Sequence, residues 1–421
     1  LILHSQASKL SGTIDIPGSK SHTIRAIAIA TLAEGTSVLH KPLLSDDTES
    51  AIIAAKAMGA KVEFKKHKLV IEGIGNQDIP DNIFIDVGNS GTTLRIFTAI
   101  AATRNKRVTF DGDHSVRQRL MTPLFDALKN LGAHIVSEND KCPFSISGPV
   151  TGGKTEIDGI SSQFLTALLF ATPLIEGDTE ITVNNLHEKP YVSITLDWLN
   201  KQNIRYTNKG LNYFAVQGRQ KYTSYDARIA ADFSSATFAV CAAAITQSEL
   251  LITGLDFNDY QGDKAVFEYL EKMGMEIEHT NNGVKVSAND LKGCELDIND
   301  TPDALPALAA AACYAKGKTV LANVKQARLK ECDRIAAMAT ELSKMGAKVE
   351  EMPDGIIIEG SPLIGTAVHG YHDHRMVMAL ALAGMGAKGI TSIDTAEAIS
   401  VTYPSFIDEY KKLGAAFKLE N

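Results

Sequence analysis

The chain of 421 residues is 44% hydrophobic and 22% charged, with a net charge of −8 and a mean hydropathy of −0.04. An acidic balance excludes the broad basic face that nucleic-acid binding usually needs, so any anion must be held by a local cluster of cations. No apolar run approaches the ~20 residues of a membrane span, and no charged-then-apolar leader opens the chain; a cytoplasmic protein of about two to three domains is expected. The five cysteines are odd in number and lack CxxC spacing, which predicts free thiols in a reducing compartment.

Read from the N-terminus, one pattern recurs six times. A turn with a capping residue leads into an apolar run, and an amphipathic stretch then ends at Gly or Asn. The first pair is "PGSKS" at Ser19 and "AKAMGAKV" at Gly59. The second is "GNSGTTLRI" at Ser90 and "LKNLGAHI" at Gly132, and the third is "GISSQFLTAL" at Ser161 and "LNKQNIRY" at Asn203. The fourth is "ADFSSATFAV" at Ser234 and "LEKMGMEI" at Gly274. "TPDALPALAA" at Asp303 and "LSKMGAKV" at Gly346 follow, then "YHDHRMVMAL" at Asp373 and "YKKLGAAF" at Gly414. Successive starts lie 69–73 residues apart and successive ends 68–73. Such constancy marks an internal repeat.

Each ~70-residue unit is expected to hold a buried apolar helix, an amphipathic helix ending at the cap, and strands between them. Strand candidates are "KVEF", "FIDV", "RVTF", "AHIVS", "TEITV", "ELLITGL", "GVKVS", "TVLANV" and "GIIIEG". Helix N-termini carry partial positive charge, each worth roughly 0.3–2 kcal/mol to a nearby anion. Lys20, Ser21 and Arg25 surround the first start, Asn89 and Gly91 the second, Ser162 and Gln163 the third, and His374 and Arg375 the sixth. If the starts converge, their centre is an anion site.

The segments "PGSKSHTIR", "GNSGTTLR", "DGISSQFLTAL", "EKPY", "TPDALP", "RLKECDR" and "YHDHRM" stand in the order found in the 5-enolpyruvylshikimate-3-phosphate synthase family. The resemblance runs from about Ile14 to Pro404. It implies an α/β fold of two domains, each of three βαβαββ units (an inside-out α/β barrel), with helix N-termini facing an interdomain cleft that holds the active site. Residues 19–231 would form one domain, and 1–18 with 232–421 the other. The implied reaction transfers the enolpyruvyl group of phosphoenolpyruvate to the 5-hydroxyl of shikimate 3-phosphate and releases phosphate.

Residue by residue, Lys20, Ser21, Arg25, Ser161, Ser162, Gln163, Asp303, Gln326 and Lys330 match positions that bind shikimate 3-phosphate in the family. Lys20, Asn89, Gly91, Arg119, Gln163, Arg334 and Arg375 match the phosphoenolpyruvate positions. Asp303 matches the carboxylate beside the reacting hydroxyl. Glu331 with Lys20 is the expected acid at carbon, and His374 its tuner. Two phosphates and a carboxylate bring roughly −5 of charge. Lys20, Arg25, Arg119, Lys330, Arg334 and Arg375 supply the answering cations, and forked guanidinium groups suit these oxygens. No cofactor or metal is implied, and a monomer without nucleic-acid or membrane partners is expected.

Rival readings are weaker. "HGYHDHR", from His369, resembles a metal cluster, but Asp373 falls in register as a helix cap. The sister transferase acting on UDP-N-acetylglucosamine commonly has a cysteine on its mobile loop, and "GDHSVRQRL" has none. A silent phosphate binder would not call for both Asp303 and Glu331. Four positions depart from the family pattern. Glu188 replaces a serine before "KPY", Gln326 an asparagine, Val401 a lysine near "TYP", and Ile96 a proline. Without that lysine, either phosphoenolpyruvate binds more weakly or another cation stands in, with Arg117 the first candidate and Lys264 the second.

Overall fold

The computed structural model describes residues 1–421, which form two compact units. One joins Leu1–Pro17 to Ala230–Asn421, and the other is Gly18–Ile229. The breaks precede the positions expected from the sequence by one and two residues.

Six four-stranded sheets are present, three in each unit. The second repeat shows how each is built. Ile83–Asp86 runs parallel to Val108–Asp111, which pairs antiparallel with Phe144–Ser147, and His134–Ser137 closes the edge. A parallel pair requires a crossover. The apolar helix Gly91–Ala102 provides it, and the amphipathic helix Thr122–Asn130 leads to the closing hairpin.

Three sheets borrow strands from far along the chain. Ser11–Asp15 pairs with Glu249–Thr253, and Asp226–Arg228 with Thr36–His40. Ile2–Gln6 lies between Ile390–Ile393 and Ala416–Glu420. The N-terminal seventeen residues therefore belong with the C-terminal half.

Burial explains the layering. Every residue of the helix Phe233–Ile245 is buried, as is every residue of Leu305–Ala312. A helix apolar all round must sit inside. These two pack on each other and on His374–Gly386, forming the centre of their unit. Strands such as Thr36–His40 and Glu249–Thr253 alternate in burial, with one face toward the interior and one toward solvent. Within each unit the helices are inside and the sheets outside.

The amphipathic helices end as the sequence indicates. Gly59, Gly132, Gly274, Gly346 and Gly414 have φ between 91° and 111°, and Asn203 has φ 56°. Glycine and asparagine enter this left-handed region far more readily than other residues, which stops each helix at the same point of the repeat. Met58, Met273 and Met345, just before these caps, are buried.

Four of the six expected N-caps form. Ser19, Ser90, Ser161 and Asp373 each accept a bond from a first-turn N–H. Such a cap stabilises by about 0.5–2 kcal/mol. Two expectations are corrected. Asp232, not Ser234, caps Phe233–Ile245, placing Ser234 inside the first turn. Asp303 does not hold the N-cap position; it sits within the 3-10 turn Pro302–Ala304 ahead of Leu305–Ala312, with its carboxylate engaged by cations. No helix is long and apolar enough to cross a membrane, and all five cysteines are free thiols.

Candidate active site

In the unit Gly18–Ile229, the matched residues gather at the starts of the helices Lys20–Leu32, Gly91–Ala102 and Ser162–Ala171. Lys20 Nζ lies 3.0 Å from Asp47 Oδ2. Arg25 is 1% exposed, and its partners are all neutral. Its Nε donates to Thr195 Oγ1 at 3.0 Å, Nη1 to the Ser21 carbonyl at 3.0 Å, and Nη2 to Thr166 Oγ1 and the Tyr191 carbonyl at 3.4 and 3.2 Å. Burial pulls the guanidinium pKa down to about 10. Holding a desolvated cation among neutral groups is costly, and an anionic ligand would offset that cost.

The third helix start differs in character. Ser161 caps the helix, while the Ser162 hydroxyl donates to Glu188 Oε2 at 3.0 Å. Glu188 is 2% exposed and stands at the head of the helix Lys189–Lys201 with φ 54°. Gln163 Oε1 accepts a short bond from Arg95 Nη1, and the Arg95 guanidinium lies 4.9 Å from the Phe164 ring centroid. Asn89 donates to Asp113 Oδ2 at 2.6 Å. Arg119 Nη2 reaches Ser115 Oγ at 3.2 Å, and a Cβ on Gly91 would lie 2.5 Å from Arg119 Nη1. Gly91 is thus the residue that lets Arg119 close on this helix start.

In the other unit a compact ion network forms around Asp303. Its Oδ1 lies 2.8 Å from Arg334 Nη1 and 3.7 Å from Lys330 Nζ, and its Oδ2 lies 3.1 Å from Arg375 Nη2. Arg334, 1% exposed, also holds Glu331 at 2.5 Å and Asp373 at 2.8 Å. Burial opposes its charge, but Asp373, Glu331 and Asp303 outweigh burial and hold its proton well above the ordinary range. His374 is 1% exposed, and neither ring nitrogen has a hydrogen-bond partner. Burial pushes its pKa down to about 4 against the pull of Asp373 and Glu331, so the ring is neutral at pH 7. Gln326 Nε2 donates to the Asn299 carbonyl at 2.7 Å. His372 is exposed, Asp373 is a buried cap, and no group of three or more His, Cys, Asp or Glu side chains could hold a metal.

Counting cations along the sequence missed the counter-ions. Asp47 sits opposite Lys20, and Asp373 doubles as helix cap and partner of Arg334. Arg95 was also missed, although a lone arginine in the apolar run "GTTLRIF" was a signal. Neither expected stand-in for the missing lysine is idle. Arg117 pairs with Asp111 through bonds of 2.8 and 2.5 Å, and Lys264 Nζ donates to the carbonyls of Phe257 and Asp259.

Residues 4–410 match the family EPSP synthase (3-phosphoshikimate 1-carboxyvinyltransferase). The 3-phosphoshikimate 1-carboxyvinyltransferase of Ruminiclostridium cellulolyticum is 48% identical over the full length of both chains. Those of Acetivibrio thermocellus and Methanocaldococcus jannaschii are 47% and 42% identical, covering 99% and 100% of each chain. An EPSP synthase structure from Acinetobacter baumannii superposes with a TM-score of 0.84 at 26% identity, covering 100% of both chains. Full-length identity of this order, on the same two-unit α/β architecture and with the motifs in place, makes this chain a member of the EPSP synthase (3-phosphoshikimate 1-carboxyvinyltransferase) family.

Proposed function

We propose that this chain transfers the enolpyruvyl group of phosphoenolpyruvate to the 5-hydroxyl of shikimate 3-phosphate. The observation that carries the reading is Asp303, a carboxylate fixed among Lys330, Arg334 and Arg375. Anion binding alone gives no reason to set an acid among the binding cations.

In the addition step the 5-oxygen bonds to C2 of phosphoenolpyruvate, loses its proton, and the methylene carbon gains one. In the elimination the C2–phosphate bond breaks, a methyl proton leaves, and the double bond returns. Asp303 accepts or directs the hydroxyl proton, and Glu331 with Lys20 serves the carbon. His374, neutral and buried beside Glu331, supplies no charge of its own at pH 7. Lys20, Ser21, Arg25, Ser161, Ser162, Gln163, Gln326 and Lys330 hold shikimate 3-phosphate; Asn89, Gly91, Arg119, Arg334 and Arg375 hold phosphoenolpyruvate, with Lys20 and Gln163 touching both. Phosphate release measured with both substrates tests the reading. Absence of release in the presence of both would refute it.

Two consequences follow from the helix starts. Glu188 takes the Ser162 hydroxyl and brings a buried negative charge toward the proposed phosphate seat. Glu188→Gln keeps an acceptor and removes the charge, and should lower KM for shikimate 3-phosphate about tenfold. An unchanged or higher KM would show that the carboxylate faces away from the phosphate. Gly91→Ala should push the Arg119 guanidinium aside and raise KM for phosphoenolpyruvate without loss of fold, because the clashing atom ends a flexible side chain. Equal KM values for variant and parent would mean Arg119 does not serve that substrate.

A further inference from the structure

The helix Arg334–Lys344 carries a fully buried carboxylate, Glu341, that the reaction scheme does not use. It stands seven residues beyond Arg334, which is two helical turns, so both side chains lie on one face about 10.5 Å apart along the axis. That face grips one loop at two points. At the end of the loop, Arg334 holds Asp373 through Nε at 2.8 Å and Nη2 at 3.2 Å. At its beginning, Glu341 Oε2 accepts from the His369 amide at 3.0 Å, and Oε1 from the Tyr371 hydroxyl at 2.9 Å. Lys344 adds bonds of 2.9 and 2.8 Å from a half-exposed position.

Helix and loop each answer a need of the other. A carboxylate taken from water must recover its hydrogen bonds, and the loop supplies two of its three donor groups. The loop in turn bends through Tyr371 at φ 57° and His372 at φ 51°, a left-handed pair without glycine. Residues of this kind keep that conformation only where their surroundings fix it. Just beyond them, Asp373 accepts from the Arg375 amide at 2.9 Å and so begins the helix His374–Gly386. The seat of Arg334 and the direction of Arg375 therefore depend on how the loop is held.

We propose that Glu341 and Tyr371 are positioning residues for phosphoenolpyruvate: their bond holds the loop that sets Asp373, and Asp373 sets Arg334 and the turn bearing Arg375. The proposal rests on the reading that these two arginines hold that substrate. None of the residues proposed to hold shikimate 3-phosphate belongs to this loop, so the effect should fall on one substrate. The loop does not rely on the pair alone for its fold. Asp394 Oδ2 takes His369 Nδ1 at 2.7 Å and Asp394 Oδ1 the Gly370 amide at 2.8 Å, while Thr395 Oγ1 takes the His372 amide at 3.2 Å.

Tyr371→Phe deletes one bond, and Glu341→Gln replaces one acceptor oxygen by an amide donor. Each should raise KM for phosphoenolpyruvate about tenfold, with kcat and KM for shikimate 3-phosphate changed by less than about twofold. The double variant should be no worse than the more damaged single one, because both changes remove the same bond. Lys344→Ala, which removes the exposed partner and leaves the loop bonds, should match the parent. A lower kcat with both KM values unchanged would mean fewer folded molecules rather than displaced arginines, and would overturn the proposal. An equal rise in both KM values, or no rise in either, would overturn it too. Without substrate, hydrogen exchange at the Asp373 and Arg375 amides, both bonded within this loop, reads the positioning step alone. Exchange should be faster in both variants, and unchanged exchange would overturn the proposal. Faster exchange in a protein that releases no phosphate from the two substrates would refute the proposed reaction and leave Glu341 and Tyr371 in their role.

Discussion

Asp303→Ala is expected to lower kcat by 10²–10⁴-fold, the usual contribution of a positioned acid–base group, while leaving KM for shikimate 3-phosphate unchanged or lower. The direction of the binding effect comes from the network. Asp303 is the shared counter-ion of Lys330, Arg334 and Arg375. Removing it exposes positive charge to an anionic substrate rather than taking a contact away. Arg334 keeps Glu331 and Asp373, so the variant should still fold. Single-turnover kinetics with calorimetric binding of shikimate 3-phosphate separate the two effects. A loss of less than about tenfold in turnover would exclude Asp303 as the base. A loss of binding comparable to the loss of rate would instead make it a structural member of the network.

What the sequence discloses and what it hides divide along physical lines. The repeat is legible because the left-handed cap tolerates few residues, so Gly59, Gly132, Asn203, Gly274, Gly346 and Gly414 had to recur wherever a helix ended. All nine strand candidates fall on strands, since short apolar runs rich in β-branched residues and bounded by turns suit a half-buried sheet. The caps at Ser234 and Asp303 misled because serine and aspartate are equally at home inside a polar first turn. In each case a residue two positions earlier, Asp232 or Thr301, precedes the first turn. Pairings across distant segments have no local signature. Nothing in "SDDTES" marks Asp47 as the partner of Lys20, because acids in a first helical turn already have a reason to be there. Charge compensation is therefore the part of the site that only three-dimensional structure supplies. It changes the expected electrostatics from six available cations to a set largely countered by carboxylates from the same units.

The same distinction decides what to expect of Val401. Family resemblance places a lysine there, near phosphoenolpyruvate. Val401 ends the 3-10 segment Ala396–Val401, which packs against the helix whose first turn carries Arg375. A substitute cation would have to be available, and both sequence candidates are committed. Arg117 is paired with Asp111, and Lys264 is tied to two carbonyls within its own loop. The position is therefore expected to be functionally vacant. A restored charge-assisted bond is worth about 1.5–3 kcal/mol, or roughly 10- to 150-fold in affinity. Val401→Lys should lower KM for phosphoenolpyruvate by up to that factor and leave KM for shikimate 3-phosphate nearly unchanged. Val401 is only half-buried, so a lysine stem can lie along apolar surface while its ammonium reaches polar surroundings. Arg117→Ala, which removes an arginine 52% exposed in its ion pair, should leave phosphoenolpyruvate kinetics alone and change stability little. The reverse pattern, an inert Val401→Lys and a raised KM in Arg117→Ala, would show that Arg117 exchanges Asp111 for substrate during turnover. No change in either variant would remove residue 401 from the substrate site altogether.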